Sequence, residues 1–240
     1  MKQMLRAGVL AGLCGGVALA AYLLLVGERT INQAVALESA SSVQREMFTR
    51  ASQHAGGALG AILYGVCAGA VLAVLFAAIR HRMVGDDWQR SLHLSAVAFV
   101  TLTVVPMIKY PPNPPGVGDP ATLDRRTALY LLLLGMSIVA TWSAWRLSRT
   151  LRARGVRREL AAPAALATYA IVVGTAWYAL PSNTDPVPLP AELLWRFRLS
   201  SVGGQAVFWA VTGLCLGALL VRRGTSSSTE VAQSRESTHV

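Results

Sequence analysis

The stretch AGVLAGLCGGVALAAYLLLV, from Ala7 to Val26, decides the fold. It is flanked by Arg6 and Glu28, and at ~1.5 Å per residue it is long enough to cross a ~30 Å hydrocarbon core as a helix. Lipid offers no partner to an unpaired backbone group, so a run of this length must be helical; it also lacks the alternation of a barrel strand. Five more runs follow at Gly57–Ile79, Leu92–Ile108, Thr127–Trp145, Leu160–Leu180 and Gln205–Val221. The expected fold is all-α: a polytopic membrane helix bundle with six transmembrane helices in residues 1–223. Residues 224–240 are Ser/Thr-rich with scattered charge and read as a disordered tail. Composition agrees, since 53% of the 240 residues are hydrophobic and 14% charged, whereas soluble proteins carry about 25% charge. A soluble enzyme, a disulfide-stapled secreted domain and a disordered chain are excluded.

Lysine and arginine set the expected orientation, because positive side chains are retained on the cytoplasmic side. With the N-terminus inside, the inner segments hold Lys2, Arg6, Arg80, Arg82, Arg90, six arginines between Arg146 and Arg158, and Arg222, Arg223 and Arg235. Both termini are then cytoplasmic, in a multi-pass protein of the inner membrane. The net charge of +10 is mostly a topology signal, so nucleic acid is not an expected partner. Ala18 and Ala20 offer a signal-peptide cleavage site, but the apolar run continues past it, which favours a retained helix. Cys14, Cys67 and Cys215 lie inside spans and imply no disulfide framework.

Small residues recur at every fourth position: Gly8, Gly12, Gly16 and Ala20 in the first span, and Gly57, Ala61, Gly65, Gly69, Ala73 and Ala77 in the second. Gly213 and Gly217 repeat the spacing in the sixth. Such stripes let helix backbones approach closely. A plain helix contact is the favoured reading, and a narrow conduit beside the glycines is the functional alternative.

Nine of the eleven prolines fall in two outside loops, Pro111 to Pro120 and Pro181 to Pro190, which must be stiff and non-helical. The two loops share an order: aromatic residues (Tyr110; Trp177, Tyr178), an asparagine (Asn113; Asn183), Asp-Pro (Asp119; Asp185), then an arginine pair (Arg125 and Arg126; Arg196 and Arg198). This order suggests two copies of one hairpin. The arginine pairs oppose both the positive-inside trend and the helix dipole, so they need partners. Structural ion pairs with Asp119, Asp124, Asp185 and Glu192 are the simpler expectation. The sharper one is cation capture by oxygen ligands from Glu28, Glu38, Glu46, Asn113, Asp119, Asn183 and Asp185, joined by His54. One imidazole among carboxylates suits a borderline divalent ion such as cobalt, nickel or zinc.

Absences narrow the chemistry. No carboxylate or lysine lies within a span core, no phosphate-binding loop is present, and no Gly-x-Ser-x-Gly or His-Glu-x-x-His motif occurs. No catalytic residue, bound cofactor or enzymatic activity is therefore expected.

The segment Lys109-Tyr110-Pro111-Pro112-Asn113-Pro114-Pro115-Gly116-Val117-Gly118-Asp119-Pro120, followed by Arg125-Arg126-Thr127-Ala128-Leu129-Tyr130, resembles the signature of the CbtA family of predicted cobalt transporter subunits. Ala36-Leu37-Glu38, Gln53, Leu189-Pro190-Ala191 and Leu194-Trp195-Arg196-Phe197-Arg198-Leu199-Ser200-Ser201 extend the resemblance. It departs at Asn183-Thr184-Asp185-Pro186, where the family usually has Asn-Glu-Val-Pro. The resemblance implies cobalt uptake linked to cobalamin synthesis, with cobalt as the transported ion. It also implies a small single-span partner, CbtB, with a histidine-rich end, which suits the scarcity of histidine here. Expected partners are thus the lipid bilayer and that subunit, with homo-oligomerisation left open. A non-transporting membrane scaffold or assembly factor is the alternative, and an enzyme holding an anionic substrate at the arginines is a weaker third.

Overall fold

A computed structural model of the chain describes residues 1–27, 49–114, 118–183, 185, 187 and 189–236, with side chains as far as Arg222. Its elements are α1 (Lys2–Tyr22) running into a π turn (Leu23–Gly27), α2 (Arg50–Ile79), α3 (Asp87–Phe99), a π turn (Val100–Val104), α4 (Val105–Lys109), α5 (Leu123–Ala153), α6 (Arg158–Ala179) and α7 (Ala191–Glu236). Six helical segments are long and apolar enough to cross a membrane, and no strand occurs among the described residues. Large apolar side chains face outward, for instance Leu160, Leu166 and Ile171 on α6, at 64%, 68% and 67% exposure. Such a surface is stable when its solvent is lipid.

The helices run past the limits of the apolar runs because capping, not hydropathy, ends them. Thr49 caps α2 by accepting the Ser52 amide at 3.3 Å, and Asp86 accepts the Gln89 amide at 2.8 Å ahead of α3. α5 continues to Ala153 through Arg146, Arg149 and Arg152, so half of the predicted arginine loop is helix. Arg146 and Arg149 lie over the rings of Trp142 and Trp145. Gly155, at φ +82°, then stops the helix. Its amide bonds to the Arg152 carbonyl and the Val156 amide to that of Leu151, both at 3.0 Å, the paired closure that a left-handed residue permits. α7 runs to Glu236, past Gly224, where composition predicts the start of a disordered tail.

The chain divides into two compact units. One gathers α1, α2, the third span as far as Ala98 and α7 from Gly203 onward; the other runs from Phe99 to Val202. In the first, the small-residue stripes of α1 and α2 meet in antiparallel register. A Cβ added to Gly8 would strike Gly69 and Ala73, one on Gly12 would strike Gly65 and Gly69, and one on Gly16 would strike Ala61 and Ile62. Ala61, Gly65, Gly69 and Ala73 are buried in this seam, whereas Gly57 is exposed. The glycine faces of α1 and α2 are therefore closed against one another along Gly8, Gly12, Gly65 and Gly69, where backbone atoms occupy the space. Gly213 and Gly217 act likewise toward Ser95, Ser91 and Trp88.

In the second unit, α5 packs along α6, with Leu133, Ser137 and Ala140 of α5 buried. The third span, a single helix by sequence, is interrupted here. The Val105 amide reaches back five residues to the Val100 carbonyl, and Pro106 has no amide to offer Thr101.

Candidate functional site

The proline-loop end of the second unit is a network between the two similar loops. Lys109 donates to the Trp177 carbonyl at 2.6 Å and lies over the rings of Tyr110 and Trp177. Tyr110 donates to the Pro181 carbonyl at 2.7 Å. Burial pushes the Tyr110 phenol above its ordinary value, and the Arg125 charge offsets part of that rise. The polar groups are then exchanged. Asp185, from the second loop, accepts the Thr122 hydroxyl at 2.5 Å and lies 3.4 Å from the guanidinium of Arg126, which follows the first loop. Asn113, from the first loop, accepts a bond at 3.2 Å from Arg198, which follows the second. Each loop is thus held by the arginine beyond the other.

The expected ligands divide accordingly. Asp119 is exposed and caps the short 3-10 turn Pro120–Thr122 by accepting the Ala121 amide at 2.8 Å. Asn183 accepts the amide of Asp185 at 3.2 Å, which fixes its own loop. Asn113, Asn183 and Asp185 line one cleft of about 810 Å³. His54 lies on the first turns of α2, in the other unit. Glu28, Glu38 and Glu46 lie outside the described residues. Among the described residues, no three of His, Cys, Asp and Glu come together as a metal site. Of the four arginines, Arg126 meets Asp185, and Arg196 pairs with Glu192 one turn earlier on α7. That second pair is exposed on both sides, so it contributes little. Arg125 and Arg198 have no carboxylate partner among the described residues, whereas one arginine of each pair, Arg126 and Arg196, meets one.

A second polar feature was not anticipated. The π turn and Pro106 leave the Thr101 carbonyl without an amide, and the buried Ser137 hydroxyl donates to it at 2.9 Å. Thr101 and Thr141 hydroxyls meet at 2.8 Å, Thr141 donates to the Ser137 carbonyl at 2.9 Å, and Tyr169 lies 3.5 Å from Ser137. Thr101 and Thr103 are buried. This places neutral oxygens within the apolar part of the third, fourth and fifth spans, at a wide helical turn of the kind that recurs at functional sites. The legible signal was a proline five residues after Thr101, with Ser137 and Thr141 four apart.

The family model described as "Probable cobalt transporter subunit (CbtA)" matches residues 1–221, the full six-span body. The chain belongs to the CbtA family. No curated protein and no solved structure matches it. With six membrane-capable helices and membership of a transporter subunit family, the chain is a multi-pass membrane protein. The loop motif of the CbtA resemblance, from Lys109 onward, supplies one wall of the cleft.

Proposed function

We propose that this CbtA chain is the multi-span subunit of a cobalt importer of the inner membrane, with both termini in the cytoplasm, serving cobalamin synthesis rather than catalysing a reaction. The observation that carries the reading is the family match across residues 1–221, which spans all six membrane helices. A small single-span CbtB-like subunit supplies the imidazoles that this chain, with 4 histidines, lacks. The ion is captured at the outer loops by oxygen ligands. Asp119 is engaged in capping and Asp185 in the Arg126 pair, and an engaged carboxylate is a poor cation ligand. First capture is assigned to Glu28, Glu38, Glu46 and His54, while Asn113 and Asn183, each already accepting a hydrogen bond, hold the loops in shape together with Asp119 and Asp185.

The test is radioactive cobalt accumulation in cells lacking other cobalt importers, with the chain and its small partner co-expressed. Glu38→Ala should lower accumulation most, and Asp119→Ala and Asp185→Ala should lower it through the loops, with insertion retained. Normal accumulation in all three variants would remove the capture idea. The rival reading, a non-transporting scaffold or assembly factor, draws on one observation: the buried polar side chains among the described residues are all serine or threonine hydroxyls, with no ionisable group of the kind carriers keep at depth.

A further inference from the structure

The cleft at the proline-loop end of the second unit has the wrong charge for a bare cation. Lys109, Arg125, Arg126 and Arg198 line it, and Asp185 is its one carboxylate among the described residues. Asp185 is taken by Arg126, whereas the other three cations meet neutral partners or none among the described residues: Lys109 a carbonyl and two rings, Arg198 an amide oxygen. The Nε of Arg198 is buried without a hydrogen-bond acceptor, and that of Arg126 has only its long 3.4 Å approach to Asp185; a buried donor left unpaired is costly. Arg125 and Arg126 also lie in the first turn of α5, where the helix dipole already disfavours positive charge. An arrangement that concentrates unmatched guanidinium donors around one cleft is stabilised by an incoming group of opposite charge with several acceptor oxygens. Phosphate fits best: it brings about one to two negative charges at neutral pH to a cleft with three uncompensated cations, and its oxygens suit forked guanidinium donors. The walls mix these donors with Tyr130, Leu129 and Met107, so room exists for an organic body attached to the phosphate.

We propose that this cleft is a phosphate-binding site, and that its occupant is a free phosphate or phosphorylated solute, or else the headgroup of an anionic phospholipid. The site is independent of the cobalt reading, because nothing in it requires metal.

The experiment uses the purified full chain in nanodiscs. Thermal unfolding is followed with inorganic phosphate against chloride at equal ionic strength in phosphatidylcholine discs, then in phosphatidylglycerol discs without phosphate. The variants are Arg125→Gln, at an exposed residue with no ion pair among the described residues, and Arg198→Gln. A free-phosphate site gives a saturable rise in melting temperature in phosphatidylcholine discs. A headgroup site gives no response to free phosphate but a rise in phosphatidylglycerol discs. In either case each variant weakens the response about tenfold, the loss of one charge-assisted bond. Asp185→Asn, which removes the competing carboxylate, strengthens it. No stabilisation by phosphate or by phosphatidylglycerol overturns the proposal. An equal response in wild type and Arg125→Gln overturns it as well.

Discussion

Gly12→Ala is the sharpest probe of the helix seam. A Cβ at Gly12 would meet the Gly65 carbonyl oxygen well inside contact distance, Gly69 Cα at 2.8 Å and the Gly65 carbonyl carbon at 2.9 Å. All three are backbone atoms, so no flexible side chain can give way. Ordinary contact begins near 3.4 Å, so α1 and α2 must separate by about 1 Å, a gap that forfeits roughly a quarter to a half of each lost dispersion contact. The reverse approach is equally tight, since a Cβ on Gly69 would lie 2.6 Å from Gly12 Cα. The expected loss is about 1–3 kcal/mol, as for overpacking elsewhere. Gly60→Ala on α2 is the matched control: nothing lies within 4 Å of its added methyl, and relief of glycine's backbone entropy makes it neutral or stabilising by up to about 1 kcal/mol. Unfolding in mixed detergent micelles measures both. Gly12→Ala as stable as the parent chain would refute the closed seam. A conduit along the glycines gives a different pattern, with stability kept and transport lost.

Asp185→Ala removes the partner of both Thr122 and Arg126 and should cost about 1–3 kcal/mol in unfolding assays; Asp185→Asn, which keeps an acceptor for Thr122, should cost less. Ser137→Ala strips the Thr101 carbonyl of its donor and should cost about 0.5–1.5 kcal/mol. Pro106→Ala supplies an amide in that turn, so the double variant should lose less than Ser137→Ala alone, and additive losses would show that the two are uncoupled. The phenol of Tyr110 is held above its ordinary value by burial. Its bond to Pro181 should therefore be intact below about pH 10, the unfolded tyrosine value, and lost as pH rises through the higher folded one. Tyr110→Phe should lack that alkaline loss in a stability–pH profile.

The spans were legible because runs such as Ala7–Val26 and Gly57–Ile79 carry no charge, and the α1–α2 seam because glycine recurs at the spacing that places it on one helix face. Helix ends were not, since hydropathy falls at Arg146 while the backbone continues to Gly155. The shared order of the two proline loops pointed to their relationship, and the crossed bonds Asp185 to Arg126 and Asn113 to Arg198 lie on residues that order had marked. Which arginine would find a carboxylate was not legible, because it depends on where each loop folds rather than on nearness in sequence. The cluster around Thr101 escaped because serine and threonine look neutral on a hydropathy scale. Only the joint effect of the π turn and Pro106 turns the Thr101 carbonyl into a group that needs Ser137.

The most direct test of the account is cobalt-57 accumulation in cells devoid of other cobalt importers, expressing this CbtA chain with its small partner. The account predicts saturable, cobalt-selective uptake that falls sharply with Glu38→Ala while the protein stays inserted. Correctly inserted protein with its partner present and no uptake above the empty cell would contradict it and favour the scaffold.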